Sequence, residues 1–331
     1  MDYHVKVLIS FAVVMTAFSP SFSMERPRLL PQPESKSLDP RAEVINAISD
    51  AVYGPSHARA FTLADLPPEA ECASPTSLYK MSRKRLEKIW LQNIEKQGIS
   101  LQDLEKHYPA LDIFFKERIE KRKLATIPAG SPLKRIMSSV SNAMNLPDLE
   151  LRVDDENSIA RCVGNALVVC NPSELKDEAP TPRKIRHVLG HERCHAKNED
   201  TKLRLAYRRA LKSAGKNPDD YKETAYFGQR IGEVFSDLET ASLGQDWANS
   251  YAEITARSAQ RKKEYKPTSH PTLAARRNLG EWNKRFYLMW MQEQKKMQDA
   301  QVQVDTDNGE VIQPRKVARR LFEEKQERLN S

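Results

Sequence analysis

Two histidines four positions apart constrain the fold of this chain more than any other feature. They are His191 and His195, in a segment that reads His-Glu-Arg-Cys-His. On a helix such residues lie one turn apart on the same face, so both ring nitrogens can reach a single metal ion. Glu192 then stands beside the metal, where a carboxylate can take a proton from bound water. The segment therefore predicts a helix that carries two metal ligands with a carboxylate between them.

The residues before this segment support a helix. Thr181-Pro182 combines a capping hydroxyl with a proline suited to the first helical position. Ile185, Val188 and Leu189 then place an apolar face toward a core. His187 lies one turn before His191, but such a histidine is more often a surface or core residue than a third ligand from the same helix.

Short strands are predicted upstream of this helix. Residues 149–153 alternate apolar and charged side chains, which is typical of a half-buried strand. Residues 158–163 and 166–170 flank Gly164-Asn165 and predict a hairpin. Helical patterns dominate the rest of the chain, so we expect an α+β fold that is mainly helical, with a small sheet.

A third metal ligand is expected from a downstream helix, because catalytic zinc commonly binds three protein ligands and leaves one position for water. Glu233 and Asp237 are four residues apart and share one face of a predicted helix. Glu233 would complete the ligand set, and Asp237 would accept the outer ring N–H of one histidine. The alternative is a solvated acidic pair, which is common on amphipathic helices.

The sequence divides into five predicted segments. We assign residues 1–23 to a signal peptide, 24–75 to a flexible leader with one short helix, and 76–130 to a basic helical segment. Residues 131–300 form the metal-binding domain, and 301–331 form a charged polar tail.

The N-terminus resembles an export signal. Lys6 precedes an apolar run from Val7 to Phe18, and small residues follow at Ser21 and Ser23. The run is too short to cross a membrane comfortably, and no later segment is long and apolar enough to do so. We therefore expect a mature protein that begins near Met24, in the periplasm or, as the second choice, secreted.

Composition bears on partners and redox state. The chain has 53 Lys and Arg against 45 Asp and Glu, a formal charge of +8, which favours contact with an anionic envelope surface.

In an oxidising compartment the four cysteines allow three disulfide pairings. Cys162–Cys170 and Cys72–Cys194 is the pairing that fits the predicted hairpin.

The stretch from about Ser131 to Gly280 resembles the zinc metallopeptidase family of HtpX and the CAAX prenyl proteases, within the gluzincins. The order of helix, strand, strand and metal helix is similar, with Asn157–Ala160 and Ala166–Val169 in the family's places. The family's Glu-x-x-x-Asp pattern matches Glu233 and Asp237. The chain departs from the family at the Arg-Cys pair inside the pentad and in the turn before the second strand.

The family's His-Pro segment matches His270-Pro271, with Arg276 six residues later. The resemblance implies that these residues act beside the metal. Pro271 suits the first position of a helix, which would leave His270 at its cap with the side chain turned inward. Arg276 would then reach the same pocket or brace Glu233.

The resemblance also implies a zincin-like fold, one zinc ion per chain and hydrolysis of unfolded or envelope polypeptides, with Glu192 as general base. It resembles the soluble, exported branch of the family, with no nucleic acid partner. The peptide would lie extended along the strand Leu167–Cys170. Two alternatives remain open: a basic envelope-binding protein with a structural or inactive zinc site, and a protease kept latent by a removable Cys72 thiolate.

Overall fold

A computed structural model of the chain describes residues 39–54, 60–122, 124–153, 160–164, 167–172, 181–260 and 270–308. The expected signal peptide, the beginning of the leader with Met24, and the end of the tail lie outside the described residues. None of the described helices is both long and apolar enough to cross a bilayer.

The fold is mainly helical, as expected. Ten α-helices have described bounds: α1 (Pro40–Tyr53), α2 (Pro75–Glu95), α3 (Leu101–Glu105), α4 (Tyr108–Arg122), α5 (Pro132–Ala143), α6 (Pro182–Lys197), α7 (Asp200–Ser213), α8 (Lys222–Ala241), α9 (Gln245–Gln260) and α10 (Leu273–Asn308).

Local capping explains where several helices begin. Ser131 accepts a hydrogen bond from the Lys134 backbone at the start of α5, and Thr181 does the same for Lys184 at the start of α6. Each side chain satisfies a backbone N–H that has no partner within its helix. A proline at the next position fits both helices, so the predicted starts are confirmed.

The predicted strands form a three-stranded sheet in the order β1-β3-β2. They are β1 (Glu150–Val153), β2 (Ala160–Val163) and β3 (Leu167–Cys170). β3 is antiparallel to β2, as in the predicted hairpin, and parallel to β1. The central strand is therefore β3, and β2 lies at the edge of the sheet within the described residues.

The hairpin turn depends on a glycine. Gly164 has a φ of +65°, a conformation that L side chains rarely adopt. A Cβ at this position would also lie 3.2 Å from the ring of Phe115 on α4. The turn can therefore pack directly against α4.

Two buried apolar clusters hold these elements together. One joins the sheet to α5 and to one face of α6, with Leu151, Val168, Ile185 and Leu189 at its centre. The other joins α1 and α2 to α7, α8 and α10. The fold thus places α6 between the sheet and the larger helical cluster.

The one short helix predicted in the segment 24–75 is α1. Helix α1 was expected in a flexible leader, but Val44, Ile45, Ile48 and Val52 are fully buried. They share the larger core with α8 and α10. Their apolar spacing reflects burial against helices that are distant in sequence, so α1 and α2 belong to the same compact unit as the metal helix.

All four cysteines are free thiols in the structure, so neither expected disulfide is formed. In the hairpin register Cys170 lies opposite Ala160, and Cys162 lies opposite Val168. The two thiols are therefore offset by two residues across the sheet. Cys194 is buried beside the Thr240 hydroxyl, 3.5 Å away, whereas Cys72 is exposed.

Candidate metal centre

Helix α6 places the two histidines against α8. Its Ile185 and Leu189 are buried in the sheet-side core, while His191 and His195 lie beside Glu233 of α8. Gly190 permits this close approach, because a Cβ there would lie only 2.6 Å from the Thr240 side chain. The absence of a side chain at Gly190 thus lets α6 and α8 meet at the height of the histidines.

The predicted ligand set comes together in the structure. His191 Nε2 lies 2.9 Å from His195 Nε2 and 3.3 Å from Glu233 Oε2. His195 Nε2 lies 3.7 Å from Glu233 Oε1. Ligand atoms of a tetrahedral zinc site at bond lengths of about 2.0–2.1 Å are separated by roughly 3.3 Å, so the spacing fits one small metal ion.

Each histidine is oriented by a carboxylate on its other side. His191 Nδ1 lies 2.7 Å from Asp237, and His195 Nδ1 lies 2.9 Å from Asp200. When the single proton of each neutral ring is on Nδ1, that nitrogen donates to its carboxylate. The Nε2 atoms of both rings then present their lone pairs toward Glu233. In that state three acceptors converge on one point, and either a metal ion between them or protonation of the rings relieves their repulsion.

Each of these carboxylates is in turn bound by an arginine. Arg276 of α10 donates to Asp237 through Nη2 at 2.7 Å and Nε at 3.2 Å. Arg83 of α2 donates to Asp200 at 2.7 Å. Two parallel chains of histidine, carboxylate and arginine therefore support the metal cluster from opposite sides.

The electrostatics favour positive charge between the ligands. Burial alone would lower the pKa of His191, but the Asp237 carboxylate outweighs it and raises that pKa to about 9. Burial likewise opposes protonation of His195, yet hydrogen bonds to Asp200 and Glu233 raise its pKa well above the usual range. Burial would raise the pKa of Glu233, but hydrogen bonds from the histidines hold it well below the usual range. A proton or a metal ion is thus strongly attracted to the cluster.

Glu192 lies beside the cluster and against the sheet edge. Its Oε2 accepts a hydrogen bond of 2.6 Å from the backbone N–H of Cys162 in β2. Burial raises the pKa of Glu192, although the nearby histidines oppose that shift. A carboxylate with a raised pKa is closer to the range in which it can both accept and return a proton near neutral pH.

A cavity of about 410 Å³ adjoins the cluster. Both histidines, Glu192 and Glu233 line it together with β2. The site therefore combines a ligand triad, a buried carboxylate and space for a substrate, whereas a structural zinc site is usually closed by four protein ligands.

His270 and Arg276 occupy different places from those expected. His270 lines the cavity, with Nε2 3.3 Å from Glu233 Oε1, but it does not cap a helix. Helix α10 begins at Leu273, and Thr272 accepts the hydrogen bond from the Ala275 backbone. Arg276 binds Asp237 and is not among the residues that line the cavity, so it positions the carboxylate that holds His191.

His187 is a core residue, as the sequence suggested. It is 2% exposed and stacks on Tyr251 with ring centroids 5.2 Å apart. Burial lowers its pKa, so it is neutral there. The metal-ligand group found among the described residues contains neither His187 nor Cys72.

Asp200 and Arg83 are the functional residues that the sequence reasoning missed. Asp200 follows His195 by five residues and begins the next helix, which is a detectable signal for a carboxylate that folds back on the metal helix. Arg83 carries no such signal, because it lies 117 positions from Asp200. It lies in the segment predicted as basic and helical, and it is only 8% exposed.

If the cluster holds a metal ion, we predict that Asp200→Asn weakens metal binding about 10- to 100-fold, as expected when a metal-bound histidine loses its outer partner. The amide oxygen retains an acceptor but loses the charge that orients His195. Competition with a chromophoric chelator measures the affinity. Asp219→Asn, at an exposed carboxylate outside the cluster, is the control, and equal affinities in the two variants would contradict the assigned role.

The chain was compared with known proteins at three levels. No protein-family model, no curated protein and no solved structure matches it. The geometry of the His-His-Glu cluster and its cavity therefore carries the functional argument.

Proposed function

We propose that this chain is a zinc-dependent endopeptidase. The observation that carries the proposal is the convergence of His191, His195 and Glu233 beside a cavity that also holds a buried Glu192. Three protein ligands with an accessible fourth side are the arrangement of catalytic rather than structural zinc.

Zinc is the metal that this ligand set favours. Two imidazoles and one carboxylate are common zinc ligands, and the short distances between them suit tetrahedral coordination. When bound, the ion supplies a Lewis acid and lowers the pKa of a water molecule on it.

Glu192 is assigned the proton transfers. Its Oε2 is held by the Cys162 backbone, which leaves Oε1 for the water that attacks the peptide carbonyl. Glu192 takes the proton of that water and delivers it to the departing amine, so one side chain serves as base and then as acid. Burial assists both steps because it raises the pKa of the carboxyl group.

The position assigned to the peptide differs from the sequence expectation. Leu167–Cys170 cannot accept an added strand, because β3 is paired with β1 on one side and β2 on the other. Ala160–Val163 lies at the sheet edge, and its Cys162 N–H already points to Glu192. We infer that an extended peptide pairs with β2, which brings its backbone past the metal cluster.

This mode of binding recognises backbone more than side chains. Unfolded segments are therefore the substrate class that it fits best, since an extended backbone must be free to pair with β2. The resemblance of the pentad, of Glu233-x-x-x-Asp237 and of His270-Pro271 to the HtpX and CAAX prenyl protease family supports the same reaction. The N-terminal pattern supports export to an envelope compartment.

The most direct test measures zinc content and cleavage of unfolded casein by the purified chain. We expect about one zinc per chain and casein fragments whose formation stops on chelation and resumes when zinc is restored. Bound zinc without cleavage under these conditions would favour the alternative of a basic envelope-binding protein with an inactive site.

His270→Ala should lower kcat about 100-fold while zinc content stays unchanged. The imidazole lines the cavity near Glu233 but is absent from the ligand triad, so its place suits stabilisation of charge on the carbonyl oxygen. Arg276→Ala provides the contrast, since it should weaken zinc binding through Asp237. An unchanged kcat in His270→Ala, measured at saturating substrate, would contradict this role and leave His270 as a residue that only lines the cavity.

A further inference from the structure

A second polar feature lies in the same cavity, away from the metal ligands. Arg204 of α7 lines the cavity together with Gln229 of α8. Its Nη1 donates a 2.8 Å hydrogen bond to Gln229 Oε1, which is a neutral partner. The ion pairs found among the described residues do not include one for Arg204. A guanidinium group has five N–H donors in a planar fork, so this bond uses only part of its capacity.

Arg204 and Gln229 each lie one helical turn from a residue of the metal centre. Arg204 follows Asp200 by four residues on α7, and Gln229 precedes Glu233 by four residues on α8. Four helical residues correspond to about 6 Å along the axis. The Arg204 backbone is thus about one helical turn from Asp200, and its side chain lines the same cavity as the metal cluster.

Burial makes the charge of Arg204 depend on a partner, because a partly buried guanidinium loses hydration that a carboxylate can replace. Burial lowers its pKa, and the Glu233 carboxylate opposes that shift. When zinc is bound, the charge of Glu233 is engaged by the metal. Two further arginines, Arg118 and Arg161, also line the cavity.

The acidic residues of the cavity already have partners in the metal centre. Asp200 binds His195 and Arg83, Glu233 faces the histidines, and Glu192 accepts from the Cys162 backbone. Among the described residues that line the cavity, none of these carboxylates forms an ion pair with Arg204, so a substrate carboxylate can take that place. Arginine suits this task because it binds a carboxylate through two parallel hydrogen bonds.

We propose that Arg204, held by Gln229, forms a subsite that recognises a substrate carboxylate adjacent to the scissile bond. The carboxylate belongs either to an Asp or Glu side chain or to the C-terminus of the peptide. This inference rests on the proposed peptidase function. It adds a preference for negatively charged residues to a site that otherwise recognises the peptide backbone.

The test uses the zinc-loaded chain and a randomised octapeptide mixture with blocked ends, with cleavage products sequenced by mass spectrometry. At one position beside the cleaved bond, Asp and Glu should exceed Asn and Gln about 10- to 100-fold, the range expected for hydrogen bonds to a charged group. Arg204→Gln should reduce that ratio to about one, and Arg204→Lys should retain part of it. Arg208→Gln, one turn further along α7 at an exposed position, is the matched control and should keep the full preference.

A second mixture with a free C-terminus separates the two sources of the carboxylate. If cleavage next to the chain end is preferred only in this second mixture, the group that Arg204 recognises is the C-terminal carboxylate. Equal cleavage of acidic and amide residues, with no effect of the free end, would overturn the subsite and leave the peptidase proposal intact. A preference that persists in Arg204→Gln would overturn the role of Arg204.

A binding measurement distinguishes failure of the subsite from failure of the peptidase proposal. Fluorescence anisotropy with labelled Glu and Gln peptides is applied to Glu192→Gln, alone and combined with Arg204→Gln. Tighter binding of the Glu peptide that disappears in the double variant supports the subsite even if no peptide is cleaved. Equal binding of the two peptides overturns it.

Discussion

Glu192→Gln is expected to abolish peptide cleavage while the chain still binds one zinc ion. The carboxylate lies beside the ligand triad in the cavity but is not a member of it. Glutamine has nearly the same shape, and its oxygen can still accept the backbone N–H of Cys162. It cannot accept a proton from water, so we expect kcat to fall by several powers of ten.

Two measurements on purified protein test this expectation. Zinc content establishes that the site is intact, and the rate of casein cleavage establishes the loss. Glu253→Gln makes the same chemical change at an exposed residue of α9 and should cleave at the parental rate. Near-normal turnover in Glu192→Gln would refute the proposed mechanism, because among the described residues that line the cavity no other carboxylate lies outside the metal cluster and its supports.

Glu233→Ala should reduce zinc affinity far more than Asp237→Ala. The first substitution removes one of three ligands, whereas the second removes the hydrogen-bond partner of His191 and leaves the triad in place. Loss of such an outer partner typically costs about 10- to 100-fold in metal affinity, and loss of the ligand should exceed that range.

Zinc titration of both variants against a chelator of known affinity provides the measurement. Glu223→Ala is a suitable control, because Glu223 lies at an exposed position on the same helix, outside the cluster and its supports. If Glu233→Ala bound zinc as tightly as the parent, the third ligand would have to be another residue.

Local patterns predicted the parts of the site whose geometry depends on a single helix. His191 and His195 share a helical face by spacing alone, and Glu233 and Asp237 do so on α8. The helix starts at Ser131 and Thr181 follow from hydroxyl caps and prolines that act within four residues. These features require no knowledge of how distant segments pack.

The features that were missed depend on packing between segments. Only Asn198 and Glu199 separate α6 from α7, and Glu199 adopts a left-handed conformation with a φ of +53°. That sharp reversal brings Asp200 back to His195. The approach of Arg83 to Asp200 arises from the packing of α2 against α8, which no local pattern encodes.

The order of strands was also outside the reach of local patterns. The alternation of apolar residues identifies a strand but not its neighbours. The hairpin predicted β2 beside β3, and the parallel pairing of β1 with β3 then placed β2 at the edge. For this reason the strand with which we propose that the peptide pairs is β2, whereas the sequence predicted β3.

If the cluster binds a metal ion as proposed, we expect the salt link from Arg83 to Asp200 to make the first helices sensitive to its occupancy. A ligand present at about a thousand times its dissociation constant stabilises a folded protein by about 4 kcal/mol. Because α2 shares its core with α7 and α8, that stabilisation extends to segments distant from the ion. Amide hydrogen exchange in α2 would then slow when zinc binds. The N-terminal helices would thus respond to loss of the metal even without substrate. Removing them would leave the buried Asp200 carboxylate without the guanidinium of Arg83.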